Sequence, residues 1–190
     1  MNYPLVSCIM ATADRPEFAF YAITWFTYQD YPNVELIIID TGNESIRRLI
    51  PPHPEITYYY EYQHQSLNET RNMLCERSVG DIIVHWDELD WYSHDWVSTQ
   101  VAALTNNSAY VTGLKEVHQH CVAENKTIPP TAAQHENSFL YGGTLAYYRS
   151  YWAEHNFKKT EINEDKDFLL AAEPYLHPHD YMSGYLKIAL

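Results

Sequence analysis

Three apolar runs, each breaking off at once into a polar cluster, constrain this chain more than any other feature. Leu5 to Met10 ends at Ala11-Thr12-Ala13-Asp14-Arg15-Pro16, and Val34 to Ile39 ends at Asp40-Thr41-Gly42-Asn43. Asp81 to His85 ends at Trp86-Asp87-Glu88-Leu89-Asp90-Trp91. Short continuous apolar runs without alternation fit strands covered on both faces, the usual condition of a parallel sheet. Helical patterns lie between them. Pro16 suits a first helical turn with Asp14 as a cap, and Phe18, Ala22, Trp25 and Phe26 recur at helical spacing. Ser66 with Glu69 makes a capping box for a helix from about Leu67 to Ser78, closed by Gly80, and Val97, Val101 and Leu104 mark another. With further strands at Ile56 to Tyr62 and near Tyr110 to Leu114, strand and helix alternate through residue 114. The expected architecture is α/β, with a mostly parallel, Rossmann-like central sheet and helices on both faces. Such sheets bind ligands beyond the carboxyl ends of their strands, where all three polar clusters fall.

The second part is less regular. Ala123 to Ser138 is polar, contains Pro129-Pro130 and has no periodicity, so it reads as a long mobile loop able to act as a lid. Phe139 to Tyr148, with Gly142-Gly143, reads as a strand with a close backbone approach, and short helices are expected near Ser150 to His155 and Asp165 to Ala172. A chain of 190 residues has the length of one domain. Residues 1–114 form its regular half and residues 115–190 an irregular half, with the loop at about 123–138.

A net charge of −13 argues against a nucleic-acid partner, which needs clustered Lys and Arg. An anionic ligand would have to be met by a local Arg, a helix N-terminus or a divalent cation. The 17 tyrosines and 5 tryptophans suit stacking on sugars or bases, although most rings in any chain belong to core and rim. Cys8, Cys75 and Cys121 have no metal-binding spacing, and Cys8 and Cys75 read as buried free thiols. Residues 1–10 lack a basic region and a cleavage site, and no apolar run approaches about 18 residues. The expectation is a cytoplasmic protein with no integral membrane segment. The sequons at Asn43, Asn68, Asn106 and Asn125 are then chance matches.

Chemistry concentrates in the loops. Asp87, Glu88 and Asp90 fall within four positions, and carboxylates so close repel unless solvated or neutralised. Mn²⁺ or Mg²⁺ would neutralise them and bridge to diphosphate oxygens; a solvated acidic turn is the equal alternative. Arg71 can hold a phosphate or a base edge, or form a surface ion pair. Asp40 can accept the ring N–H of a uracil, or cap the next helix. Glu164 or Asp165 can take a proton from a hydroxyl, or both can be acids favoured at a helix start.

Taken in order, these segments resemble the family 2 glycosyltransferases. Val6 to Phe18 is similar to that family's opening, and Tyr31 to Asp40 to its second-strand motif. Asn68-Glu69-Thr70-Arg71-Asn72, Val79 to Ile83 and the Trp86 to Tyr92 acidic segment continue the series, and Glu164-Asp165 resembles the family's base motif. The likeness spans roughly residues 4–170. It implies a GT-A fold, a nucleotide diphosphate sugar donor (a UDP-sugar is expected), and a glycan, protein or small-molecule acceptor. It also implies a Mn²⁺ or Mg²⁺ cofactor and inverting transfer. By the same resemblance Thr12, Ala13, Asp14 and Arg15 line the nucleotide pocket, Asp40 binds the base, and Arg71 contacts base or phosphate. Asp87, with Glu88, serves the donor; Asp87 and Asp90 serve the metal; Asp165, with Glu164 beside it, is the general base. His179, or after it His177, would complete the metal shell, an ordinary surface histidine being the competing reading. The sequence departs from the family pattern at Leu89, where an Asp is usual.

Other classes fit less well. A GT-A domain that binds a nucleotide sugar without transferring it is the main alternative, motivated by Leu89. A nucleotidyltransferase would carry a glycine-rich first loop, and Ala11 to Arg15 has no glycine. A dinucleotide oxidoreductase would carry Gly-x-Gly-x-x-Gly, which is absent.

Overall fold

A run such as Val6-Ser7-Cys8-Ile9-Met10 is buried along its whole length, and the strand built from it lies inside a sheet. A computed structural model describes residues 3–62, 65–132, 140–158, 166–179 and 184–189. In its first part, β1 (Val6–Thr12), α1 (Pro16–Thr27), β2 (Val34–Asp40), β3 (Ile56–Tyr60), α2 (Leu67–Arg77) and β4 (Ile82–His85) follow one another. Then come β5 (Asp90–Tyr92), α3 (Trp96–Asn106), β6 (Val111–Leu114), β7 (Glu116–Cys121) and β8 (Lys126–Ala132). The chain continues through β9 (Ala146–Tyr148), α4 (Arg149–Glu154), α5 (Lys166–Ala172), β10 (Leu176–His179) and β11 (Tyr185–Ala189).

The large sheet has seven strands in the order β10-β6-β9-β4-β1-β2-β3. Strand β1 runs parallel to both β2 and β4, β2 parallel to β3, and β10 parallel to β6; only β9 is antiparallel to its neighbours. Alternate residues of β1 face opposite layers. Val6, Cys8 and Met10 pack with Ala19, Ile23 and Phe26 of α1 and with Trp96 and Val97 of α3. Ile9 packs with Leu74 and Cys75 of α2, Trp152 of α4 and Phe168 of α5. Helices thus cover both faces, and each fully buried apolar side chain contributes about 1.5–3 kcal/mol. The chain builds outward from β1 to β3, then crosses back to lay β4 on the other side of β1. That reversal opens a crevice at the carboxyl ends of β1 and β4.

Several expectations change. Asp14 does not cap α1; Arg15 is the cap residue, with no side-chain bond. The Asp14 carboxylate instead accepts the Asn43 amide at 2.7 Å and Asn43 Nδ2 at 2.8 Å, tying the first polar cluster to the second. The expected loop at 123–138 is a strand over Lys126–Ala132, paired antiparallel with β7. Its prolines hid the pattern, yet β8 is a sheet edge, where a missing N–H is tolerated, and the register shifts opposite them between Val117 and Gln119. Residues 133–138 lie outside the described residues. The strand expected over Phe139 to Tyr148 shortens to β9, preceded by one 3₁₀ turn at Gly142–Thr144. A second sheet, ordered β5-β11-β7-β8, stands beside the large one, and no sequence signal marked it.

Candidate functional site

The crevice at the strand reversal is a cleft of about 330 Å³. Ala11, Thr12, Ala13 and Arg15 line it from the end of β1, Thr41 from the end of β2, and Asp87 to Asp90 from the end of β4. Gln65 approaches from the segment just before α2, Leu67 and Thr70 from α2 itself, and Lys187 and Ile188 from β11. Two buried polar atoms on this wall, Thr12 Oγ1 and Gln65 Oε1, have no hydrogen-bond partner among the described residues.

The acidic turn is fixed from below by aromatic packing. Trp86 is fully buried, donates from Nε1 to the Ala22 carbonyl at 3.0 Å, and stacks on Tyr92 with ring centres 4.0 Å apart. The Tyr92 hydroxyl accepts the Asp87 amide at 2.7 Å, and the Asp90 amide donates to the Asp87 carbonyl at 3.3 Å. Asp87 and Asp90 therefore turn to the same place. A methyl group added to Gly143 would stand 2.7 Å from Asp87 Oδ2 and 2.8 Å from both Asp90 Oδ2 and the Tyr185 hydroxyl. The close backbone approach expected of the glycine pair is found here, and it leaves a small gap ringed by oxygens.

Electrostatics mark the same gap. Burial first, and then the Asp87 carboxylate, push Asp90 up to about 8, although the Tyr185 hydroxyl donates to Asp90 Oδ2. Glu88 is also raised, by burial, although Arg15 holds it at 2.8 Å. Two carboxylates facing one gap, one of them reluctant to ionise, suit a hard divalent cation that takes its remaining ligands from phosphate and water. Asp87 and Asp90 therefore fit Mn²⁺ or Mg²⁺ as a pair. Among the described residues no group of three His, Cys, Asp or Glu is arranged to hold a metal.

Other expected residues are placed differently. Arg71 is buried, with Nη2 3.9 Å from Asp87 Oδ2, so it stands behind the acidic turn and does not line the cleft. Asp40 sits at the same end of the sheet but is fully buried. Its oxygens accept the Gly42 amide at 2.9 Å, the Ile46 amide at 3.0 Å and the Tyr58 hydroxyl at 2.7 Å. It shapes the loop that brings Thr41 to the wall, and its carboxylate is turned to that loop. Asp14 faces Asn43 and lines a separate hollow with Pro16 and Arg48. His179 packs on Trp96 and lies 3.4 Å from Gln100 Oε1, so it does not join Asp87 and Asp90. His177 is on the same strand, β10. Glu164 and Asp165 lie outside the described residues.

Sequence reasoning missed Thr41, Gln65, Thr70, Lys187 and the support Tyr185, and it marked Gly143 as a close backbone approach without tying it to the carboxylates. It also missed His85. Burial, and then Arg71, lower His85 well below its usual value, so the ring is neutral. Its Nδ1–H donates to the Gly142 carbonyl at 2.7 Å, and its Nε2 accepts from the Tyr147 hydroxyl at 3.1 Å. This bond holds the glycine pair against the carboxylates.

Against known proteins, the Glycosyl transferase family 2 model matches residues 7–174. A Haemophilus influenzae protein described as an uncharacterized glycosyltransferase is 28% identical over 117 residues, covering 59% of this chain and 47% of its own. The putative colanic acid biosynthesis glycosyl transferase WcaA of Escherichia coli is 30% identical over 106 residues, covering 53% and 38%. The chain thus spans less than half the length of these relatives. A solved structure of the Pyrobaculum calidifontis mannosyltransferase PcManGT, in complex with GDP-Man and Mn²⁺, superposes with a TM-score of 0.74 at 15% identity, over 100% of this chain and 57% of that one. S. aureus TarS with UDP-GlcNAc gives 0.72 at 12%, over 98% and 59%. The fold is GT-A.

Proposed function

The chain belongs to glycosyl transferase family 2, and from that premise we propose that it moves a glycosyl group from a UDP-sugar to an acceptor hydroxyl, inverting the anomeric carbon. The acceptor is a glycan, protein or small molecule. The observation that carries this reading is the meeting of Asp87 and Asp90 oxygens beside Gly143, at the mouth of a crevice at the carboxyl ends of β1 and β4. The complexes of PcManGT with GDP-Man and Mn²⁺, and of TarS with UDP-GlcNAc, support a nucleotide sugar and a divalent cation.

Thr12 and Gln65 offer hydrogen bonds to the nucleoside, and Arg15, oriented by Glu88, faces the phosphates. Asp87 and Asp90 hold the divalent cation, Mn²⁺ or Mg²⁺. When bound, such an ion supplies positive charge to the departing diphosphate. Arg71, behind Asp87, places its guanidinium 3.9 Å from that carboxylate and helps to hold it in position. Asp165, with Glu164 beside it, takes the proton of the attacking hydroxyl, on the strength of the family resemblance. A base of this kind contributes about 10²–10⁴-fold. The free thiols Cys8, Cys75 and Cys121 suit a reducing compartment, and we place the reaction in the cytoplasm. Among the described residues no helix is long and apolar enough to cross a membrane.

A thermal-shift panel of UDP, GDP, CDP and dTDP sugars, with and without Mn²⁺, tests the reading. Stabilisation that needs both the metal and uridine is expected; no shift with any donor overturns it. Asp165→Asn should keep donor binding and lose at least about 100-fold in turnover. Near-normal turnover removes Asp165 as the base. A second reading, a module that binds the donor without transfer, is favoured by Leu89 and by the two-carboxylate site. Slow release of free sugar from the donor by the purified protein argues against it.

A further inference from the structure

Strand β11 brings one residue to the crevice wall that neither the acidic turn nor the family motifs account for. In the antiparallel pair of β5 and β11, Lys187 stands directly opposite Asp90, so both side chains leave the same face of the small sheet. The neighbouring Ile188 amide lies 3.4 Å from Asp90 Oδ1, which keeps this register tight at the carboxylate. Lys187 is exposed on the cleft wall, with its ammonium 5.8 Å from the centre of the Tyr141 ring. The other two cations near the site are committed. Arg15 is held by Glu88 at 2.8 Å, and Arg71 is buried behind Asp87. Among the described residues Lys187 is in no ion pair.

A chain of net charge −13 that lines a cleft with Asp87, Glu88 and Asp90 repels a diphosphate unless positive charge is placed there. We propose that Lys187 binds the sugar-bearing phosphate of the donor and takes up the charge that gathers on it during transfer. This rests on the donor-transfer reading above. As the bond between the anomeric carbon and the phosphate oxygen breaks, its electron pair stays on that oxygen. The acceptor oxygen bonds to the carbon, and the hydroxyl proton passes to the carboxylate base. Lys187 exchanges no proton. Its ammonium meets an oxygen that is more negative after bond cleavage than before, so its contact strengthens along the reaction. A lysine suits this place because its flexible stem delivers a point charge to a phosphate from a strand that is already paired.

Calorimetric titration of the purified chain in Mn²⁺ with UDP and GDP, against uridine and guanosine, tests the assignment. Lys187→Met is expected to weaken the diphosphate that binds by about tenfold while leaving the matching nucleoside unchanged. Lys187→Arg should recover most of the loss, and Lys126→Met, on the far edge strand β8, should change nothing. An unchanged thermal melt for Lys187→Met shows that the fold is intact. Diphosphate and nucleoside weakening together, or neither weakening, overturns the role of Lys187 and leaves the donor reading standing. If the unaltered chain binds neither diphosphate, the donor reading fails and this inference falls with it.

Discussion

The two sheets are built on different terms. In the large sheet β1, β2 and β4 are buried almost throughout, every residue of β1 has a partner on β2, and every residue of β4 has one on β1. In the small one β5 has three residues, and β7, β8 and β11 are largely half-exposed or exposed. The acidic turn joins them: Asp87 follows β4 of the large sheet, whereas Asp90 opens β5 of the small one and is held by Tyr185 and Ile188 of β11. The spacing of the two carboxylates is therefore set by how the sheets meet, and the large sheet alone would supply stability without a complete site.

Trp86→Ala should break the comparison most severely. It empties a fully buried space between α1 and Tyr92, and a cost of about 3–5 kcal/mol is expected in urea unfolding. Gly143→Ala acts at the seam instead. Its Cβ would collide with both Asp87 and Asp90 while the backbone stays in a region any residue adopts. Folding should persist while Mn²⁺-dependent UDP binding falls about 10–100-fold, the usual range for altering a metal site's supports.

Titration separates the regions by sign. Asp90 is raised from 3.8 to about 8 in the folded chain, so the stability it contributes is fully present below about pH 3.8 and lost as pH rises through about 8. His85 is lowered, so its contribution is present above about 6.5 and lost as pH falls through its depressed value. In metal-free buffer Asp90→Asn should remove a decline in Tm between about pH 4 and 8, and His85→Gln a rise in Tm as pH approaches about 6.5 from below. If either variant left its own slope in place, that assignment would be wrong. The smallest effect belongs to the edge strand. Ile128, 37% exposed on β8, should cost no more than about 0.5 kcal/mol as Ala.

Legibility in the sequence followed the same division. β1, β2 and β4 were legible because strands buried on both faces must be continuously apolar. The Ser66–Glu69 capping box was legible because both of its bonds are local, and both form. Strands β10 and β11 were not, since Leu-His-Pro-His and Tyr-Leu-Lys-Ile-Ala are short and half-buried, and a half-buried strand of that length leaves no pattern. Asp40 shows the limit at a single residue. Its type and place after a buried strand fit a ligand contact, yet three bonds from its own loop and Tyr58 occupy it.

By itself the sequence determined the alternation of buried strands and covering helices, and hence a crevice with Thr12, Arg15 and Asp87 at its rim, because burial and periodicity act over a few neighbouring residues. Only the tertiary structure decided which carboxylates meet. Asp87 and Asp90 converge because Gly143 and Tyr185, both more than fifty positions further along the chain, close around them. His179 goes to Trp96 and Gln100 because β10 lies beyond β6 and β9 from β4. Contacts between residues so far apart in the chain depend on how the sheets pack, and no local pattern encodes that.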